Sequence, residues 1–509
     1  MHERLLAPFC TAVALATFSL GAHAAPGCPA VEQFLVGKAV GVVCFHSDDL
    51  RTNNPVTTPP DNSITTFADG TTLPGFAAGF GSYTPTKDRG VISNGPAPSA
   101  GPVPGIQVEG WFADDATNQA RFLLRFPDKW NGSLVVAGAS GTRSEFNGDW
   151  AWSDYVLPKG YAYASQNKGV LNFYIVSLSS QTQPAPDTCR VNPPGGALSL
   201  LWVHFYDVDA NKPFTQWTQY MLKTAQLAQN AVKANYESPA RRTYAVGTSN
   251  GGYQVRRAME EAPNLFDGGV DWEGTYVDPK ENILVDLPVA VKNFPAYQAS
   301  NYDPTSAAAQ NILAAGYPPD IVHRDSMTGA VTASLWSNYY NDFWEVTTCQ
   351  WQQRFDPTYD TYGAGPGNYD YLSRLGLPGV FDSVEAVTTT GKIKKPLITV
   401  AGTMDALLPI RHQARAYEDA VDASRKGNND RRNAQYRLYE VQNGNHIEAY
   451  VTPFPELVMI QPYAQQAFDL LVDFIENKAP MPPSQCIPKG GTISQDPAQA
   501  GNCAQLFAP

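Results

Sequence analysis

Ser249 stands in Gly247-Thr248-Ser249-Asn250-Gly251, a G-x-S-x-G pattern. Such a serine becomes a nucleophile when a strand runs into it and a helix leaves it. Both neighbours are present: residues 243–246 (TYAV) form a short β-branched and aromatic run, and YQVRRAMEEA follows as a helical segment. On so sharp a turn a Cβ at the flanking positions would collide with neighbouring backbone, which explains the glycines. The turn also lifts the hydroxyl toward a helix N-terminus, whose field favours developing negative charge. In a Gly/Ser-rich loop the same pattern would be an ordinary turn, and the flanking strand and helix set this one apart.

A hydroxyl needs a base, and the base needs an acid to orient it. On a doubly wound sheet carrying such a serine the expected chain order is Ser, acid, His. ITVAGTMDALLP places Asp405 directly after an apolar strand, and RLYEVQNGNHIEAY places His446 in an Asn/Gly loop after the next one. The plainer readings are that Asp405 caps a helix and that His446 is a loop residue; together with Ser249 in this order, the triad is the better reading. Among the other histidines, His412 follows Asp405 by one helical stretch, His323 could contact a substrate, and His46 and His204 precede the serine. Asp271, in GGVDWEG, is the alternative acid, and Glu448 a rim or supporting group. Negative charge on a tetrahedral intermediate needs two backbone N–H donors. Asn250 supplies one, and Ser140 or Gly141, in LVVAGASGTRS, the other. Trp272, Tyr253, Tyr339 and Trp344 are candidate pocket residues, although clustered aromatics are more often packing. This chemistry requires no metal and no cofactor. Asp207, Asp209 and Asn211 resemble the start of a calcium loop, but Lys212 and Thr218 replace its glycine and glutamate, so no EF-hand is expected.

The elements that must position these residues alternate. Residues 120–126 (ARFLLRF), 133–137 (SLVVA), 161–165 (YAYAS) and 243–246 read as strands, and residues 216–236 as an amphipathic helix. After a gap the rhythm resumes with a strand at 393–400, a helix near 411–424, a strand at 435–441 and a helix near 462–477. This alternation predicts an α/β fold with a mostly parallel, doubly wound sheet. The gap, residues 276–390, is crowded with Tyr, Trp, Asn and Pro and includes Trp336, Tyr340 and Trp351. It reads as an inserted lid. The expected division is therefore 1–24 an export signal, 25–105 a disulfide-pinned segment, 106–275 with 391–480 the catalytic body, 276–390 the lid, and 481–509 a disulfide-closed tail.

The chain has 509 residues and a formal charge of −12, from 36 Lys+Arg and 48 Asp+Glu. Its hydrophobic content of 43% excludes a wholly disordered protein, and the acidic balance argues against nucleic acid or anionic membrane as a main partner. Arg4, the uncharged stretch 5–20 and Ala22-His23-Ala24 have the pattern of a cleaved secretory signal, so a secreted or periplasmic location is expected. Cys28, Cys44, Cys189, Cys349, Cys486 and Cys503 then form an even set with 15 possible connectivities. Short loops pairing Cys28 with Cys44 and Cys486 with Cys503 would leave Cys189 with Cys349. Sequence leaves the oligomeric state open.

The stretch from Val135 to Gly169 (VVAGASGTRSEFNGDWAWSDYVLPKGYAYASQNKG), with VGTSNGG at Val246 to Gly252, resembles the 3-hydroxybutyrate oligomer hydrolases, serine esterases of α/β-hydrolase fold. The resemblance implies that fold, a serine nucleophile at Ser249, and hydrolysis of short hydroxyalkanoate ester oligomers. A weaker likeness is to tannases and feruloyl esterases, which cleave aromatic esters. Those typically carry a disulfide between the residues preceding the serine and the histidine, where this chain has Thr248 and Asn445. The expectation is an exported carboxylic-ester hydrolase whose partner is a small or oligomeric ester. An exported serine peptidase of the same fold and a non-catalytic binding scaffold are the rival readings.

Overall fold

The computed structural model describes residues 27–51, 101–116, 119–141, 144–169, 173–175, 189–190, 201–203, 214–428 and 435–509. The expected signal, most of the N-terminal segment, His204 and the calcium-like run 207–212 lie outside these residues.

One sheet of eleven strands organises the described chain. In sequence its strands are β1 (Ala39–Ser47), β2 (Gly105–Phe112), β3 (Arg121–Pro127), β4 (Ser133–Gly138), β5 (Ala162–Gln166), β6 (Arg242–Thr248), β7 (Gly268–Trp272), β8 (Leu397–Gly402), β9 (Tyr436–Val441), β10 (Gln485–Ile487) and β11 (Gln499–Ala500). In space the order is β1-β2-β3-β5-β4-β6-β7-β8-β9-β10-β11. From β5 through β10 every neighbouring pair is parallel, and the outer pairs are antiparallel. A parallel strand buried on both faces needs a continuous apolar run. SLVVAG in β4 and LITVAG in β8 are of that kind and are buried throughout.

The helices are α1 (Cys28–Leu35), α2 (Thr215–Tyr236), α3 (Asn250–Glu261), α4 (Ile283–Ala299), α5 (Glu345–Phe355), α6 (Ala416–Asn428) and α7 (Gln461–Val472), besides shorter turns. Strand side chains alternate between faces. Leu134, Val136 and Ala245 meet Met221 and Val232 of α2 and Met259 of α3 on one face. Val135, Val246, Ile398 and Val400 meet Phe468 and Leu471 of α7 on the other. This is the doubly wound sheet expected from sequence.

Between β7 and β8 the chain is helical rather than irregular. Leu287 and Phe294 of α4, Trp351 and Phe355 of α5, and Trp336, Tyr339 and Trp344 form a third core. That core also takes in Met404, Leu407, Ile447 and Tyr450 from the loops after β8 and β9. The inserted helices therefore rest directly on those loops. No described helix is long and apolar enough to cross a membrane.

Three disulfides are present: Cys28–Cys44, Cys189–Cys349 and Cys486–Cys503. The second joins a short ribbon ahead of α2 to α5 across 160 residues of sequence. The two expected disulfide-closed ends also extend the sheet, through β1 at one edge and β10 and β11 at the other. The tail continues inward. Thr403 Oγ1 donates to Leu506 O, Asn443 Nδ2 donates to Ala508 O at 2.6 Å, and Ala508 N donates back to Asn443 Oδ1 at 2.8 Å.

Candidate active site

β6 ends in a turn at Ser249, whose backbone sits at φ 57°, ψ −124°, and α3 starts at the next residue. Positive φ is uncommon for a residue with a side chain and persists only where its surroundings over-determine it. Two contacts do so here. Ser249 N donates to Trp272 O at 2.8 Å, at the end of β7. The first turn of α3 also presses onto the end of β4: a Cβ on Gly251 would lie 2.3 Å from Gly138 O, and one on Gly247 2.3 Å from Gly251 O. Gln254 fastens the same contact, its Nε2 donating to Ala139 O at 2.8 Å and Asn250 O at 3.0 Å.

His446 comes from the loop after β9 and Asp405 from the loop after β8. His446 Nε2 lies 3.1 Å from Ser249 Oγ, and its Nδ1 lies 2.7 Å from Asp405 Oδ2. All three side chains are almost fully buried. Asp405 Oδ1 meanwhile accepts from Leu407 N at 2.8 Å and Leu408 N at 2.7 Å. It thus has both roles weighed from sequence, one oxygen capping a turn and the other holding the imidazole. The two loops are laced together by Met404 N to Gly444 O at 2.8 Å and Asn443 N to Thr403 Oγ1 at 2.9 Å. Gly444 packs so tightly that a Cβ on Gly402 would lie 2.3 Å from Gly444 O.

The remaining histidines among the described residues are engaged elsewhere. His46 pairs with Asp128 at 3.0 Å and His323 with Glu456 at 2.8 Å, while His412 bonds Glu281 and lies 2.9 Å from Ala315 O. Asp271, the alternative acid, is in β7 rather than after it. Its Oδ2 accepts from Arg256 Nε at 2.5 Å in a fully buried ion pair, and its Oδ1 from Gly274 N at 2.6 Å, so it is a structural carboxylate. Glu448 is not at a rim: it is buried and takes the Ile460 and Gln461 amides at 2.5 Å each.

At the end of β4 the structure separates the two oxyanion candidates. Ser140 N donates to Asn147 Oδ1 at 2.9 Å, which removes Ser140 as a donor. Lys168 Nζ, on a buried residue at φ 65°, donates to Ser140 O at 2.5 Å and also to Gly141 O. The C=O and N–H of a trans peptide point in opposite directions. Fixing Ser140 O on Lys168 therefore turns the Gly141 N–H the other way. Asn250 is held by Thr275 Oγ1, which donates to its Oδ1 at 2.9 Å.

The aromatic candidates are packing residues in this arrangement. Trp272 lies in the α7-face core, edge-on to Trp152 at 6.4 Å between ring centroids. Tyr253 donates its hydroxyl to Val387 O at 2.8 Å and Trp344 its Nε1–H to Ala406 O at 2.7 Å, beside Asp405. Tyr339 donates to Asn445 Oδ1 at 2.8 Å, beside His446. Tyr339 and Trp344 thus brace the base loop and the acid loop respectively.

Sequence reading passed over Lys168 and also Glu273. Glu273 is buried within 3.4 Å of His446 Nδ1. Burial first, and then the Asp405 charge, push its carboxyl far above the usual glutamate range. Its signal was available: like Asp405, it follows an apolar strand of the sheet.

This geometry is that of an α/β-hydrolase: a serine elbow after one parallel strand, an acid after a later one, and a histidine after the next. Residues 374–506 match the family described as 3HB-oligomer hydrolase. The matched stretch carries Asp405 and His446 and lies downstream of the elbow and of the Val135–Gly169 stretch. The D-(-)-3-hydroxybutyrate oligomer hydrolase of Burkholderia lata is 36% identical over 132 residues, covering 24% of this chain and 18% of that protein. That of Burkholderia thailandensis is 35% identical over 127 residues, with the same coverage. The chain thus matches less than a fifth of the length of these curated relatives. Among solved structures, feruloyl esterase B from Aspergillus oryzae aligns with a TM-score of 0.47 at 11% identity, covering 76% of this chain and 85% of that one. Tannin acyl hydrolase from Aspergillus niger aligns with a TM-score of 0.46 at 13% identity, covering 76% and 82%.

Proposed function

We propose that this chain is a serine carboxylic-ester hydrolase that cleaves short hydroxyalkanoate ester oligomers. The observation carrying the reading is the hydrogen-bonded line Ser249 Oγ–His446–Asp405 at 3.1 and 2.7 Å, set on a strained elbow. His446 Nε2 takes the Ser249 proton as Oγ attacks the ester carbonyl, and Asp405 holds the imidazole in the required tautomer. The Asn250 and Gly141 amides receive the oxyanion. His446 then returns the proton to the departing alcohol, and water, activated by the same base, releases the acid from the acyl-enzyme. The substrate class rests on the family match over residues 374–506, which spans the acid and base loops. Three disulfides favour an oxidising compartment, and with the signal pattern of residues 1–24 they support export.

The test is hydrolysis of 3-hydroxybutyrate trimer, p-nitrophenyl butyrate, methyl ferulate, methyl gallate and a proline p-nitroanilide, by the native protein and by Ser249→Ala. The expected outcome is preference for the trimer, with kcat reduced about 10⁴-fold or more in the variant. Preference for ferulate or gallate would reassign the substrate to aromatic esters, and preference for the anilide to peptides. Equal turnover by the variant, or none by the native protein, would overturn the triad.

A further inference from the structure

A second carboxyl reaches the ring that Asp405 orients. Glu273 Oε2 lies 3.4 Å from His446 Nδ1, the atom Asp405 holds at 2.7 Å. Potential ligand atoms of Glu273, Asp405 and His446 all fall within 4.8 Å of one another. Glu273 Oε1 accepts from Gly402 N at 3.0 Å, while Oε2 is buried with no hydrogen-bond partner. The backbone that delivers it is unusual. Glu273 sits at φ 51°, fixed by its own N–H on Val400 O at 2.8 Å and by Asp271 gripping the next amide. Strain of this kind tends to gather at functional sites.

Burial and the neighbouring Asp405 charge push the Glu273 carboxyl well above the usual glutamate range, so it holds its proton. Asp405 accepts two backbone amides besides the imidazole, whereas Glu273 accepts one. Glu273 thus has fewer backbone donors to support a charge. The other titratable groups facing Glu273 are Glu448 from the loop after β9 and Tyr339 from the inserted helices. On its own strand Asp271 is tied to Arg256.

We propose that Glu273 is a positioning residue, a second acid beside His446 that orients the imidazole when Asp405 is lost. This rests on the triad reading above. With the Asp405 charge removed, the second of the two effects that keep Glu273 protonated is gone, and burial is the main one left to oppose its ionisation. The carboxylate left after its proton departs to solvent faces Nδ1 from nearly the same side.

The experiment is a double-mutant cycle of Asp405→Ala and Glu273→Gln, read as kcat/KM on p-nitrophenyl butyrate from about pH 5 to 9, with Ser249→Ala as control. Glu273→Gln is expected to cost at least about tenfold more in the Asp405→Ala background than in the native chain. The residual activity of Asp405→Ala should climb with pH as Glu273 ionises, and that climb should vanish in the double variant. Equal cost in both backgrounds, or a climb that survives Glu273→Gln, would overturn the inference and leave Glu273 a packing residue. Native-like turnover by Ser249→Ala would instead overturn the triad, and this inference with it. Where Asp405→Ala does not keep the native circular-dichroism spectrum, Asp405→Asn takes its place, and the same comparison decides.

Discussion

At the scale of single residues, the site depends on groups that position others. Lys168 is the clearest, since its ammonium holds both carbonyls of the turn that carries Gly141. Lys168→Met keeps the aliphatic stem and removes the donor. It is expected to lower kcat at least about tenfold while changing KM less, because an oxyanion donor acts on the transition state. Steady-state kinetics on an ester, with melting measured in parallel, checks this. Ser249, Asp405 and His446 were readable in the sequence for a common physical reason: each follows a buried parallel strand, and the elbow and the histidine loop sit among residues that allow tight backbone approach. Glu273 has the same placement, in GGVDWEG, but lies in no recognised catalytic motif. Sequence left Ser140 and Gly141 as alternatives because the side chain that engages the Ser140 amide, Asn147, is seven residues away.

Among the elements, helix α4 shows where periodicity fails. Pro288 and Pro295 lie inside it, and prolines are ordinary grounds for ending a helix. Tertiary packing of Leu287, Val291 and Phe294 holds it nonetheless. The edge strands β10 and β11 were missed because two or three residues carry no readable alternation. Asp286, in the first turn of α4, is buried, and burial raises its carboxyl from 3.8 to about 7, opposed by His412. A raised acid favours the fold only while protonated. Its contribution is complete below about pH 3.8 and is lost as pH rises through about 7. Asp286→Asn should therefore gain stability relative to the native chain between pH 5 and 8, by about 2 kcal/mol or more. Thermal melts across that range would show the gap widening with pH, and a constant gap would refute the assignment.

For the molecule as a whole, the disulfides divide the work unequally. Cys189–Cys349 spans 160 residues, against 16 and 17 for the other two. Chain-entropy reasoning gives about 5 kcal/mol for the long loop and about 3 for each short one. Replacing Cys189 and Cys349 together by Ser should thus lower the melting temperature more than replacing Cys28 and Cys44. The difference should show in calorimetry of the two double variants. The doubly wound sheet was legible because its strands are long apolar runs. The way the inserted helices seat on the acid and base loops was not, since it depends on contacts such as Trp344 to Ala406 that join distant parts of the chain.

The last residues of the chain reach back to Thr403 and Asn443, one in the loop of the acid and the other in the loop of the base. Residues 506–508 are therefore a handle on the chemistry. A fusion partner or a surface tether attached at Pro509 would pull on two anchor points that set the distance between Asp405 and His446. Deleting residues 506–509 would loosen both loops while leaving Ser249, Asp405 and His446 present. Attachment through an exposed position of the insertion, such as Met327 in the turn between the short strands 322–324 and 331–334, would leave that handle slack.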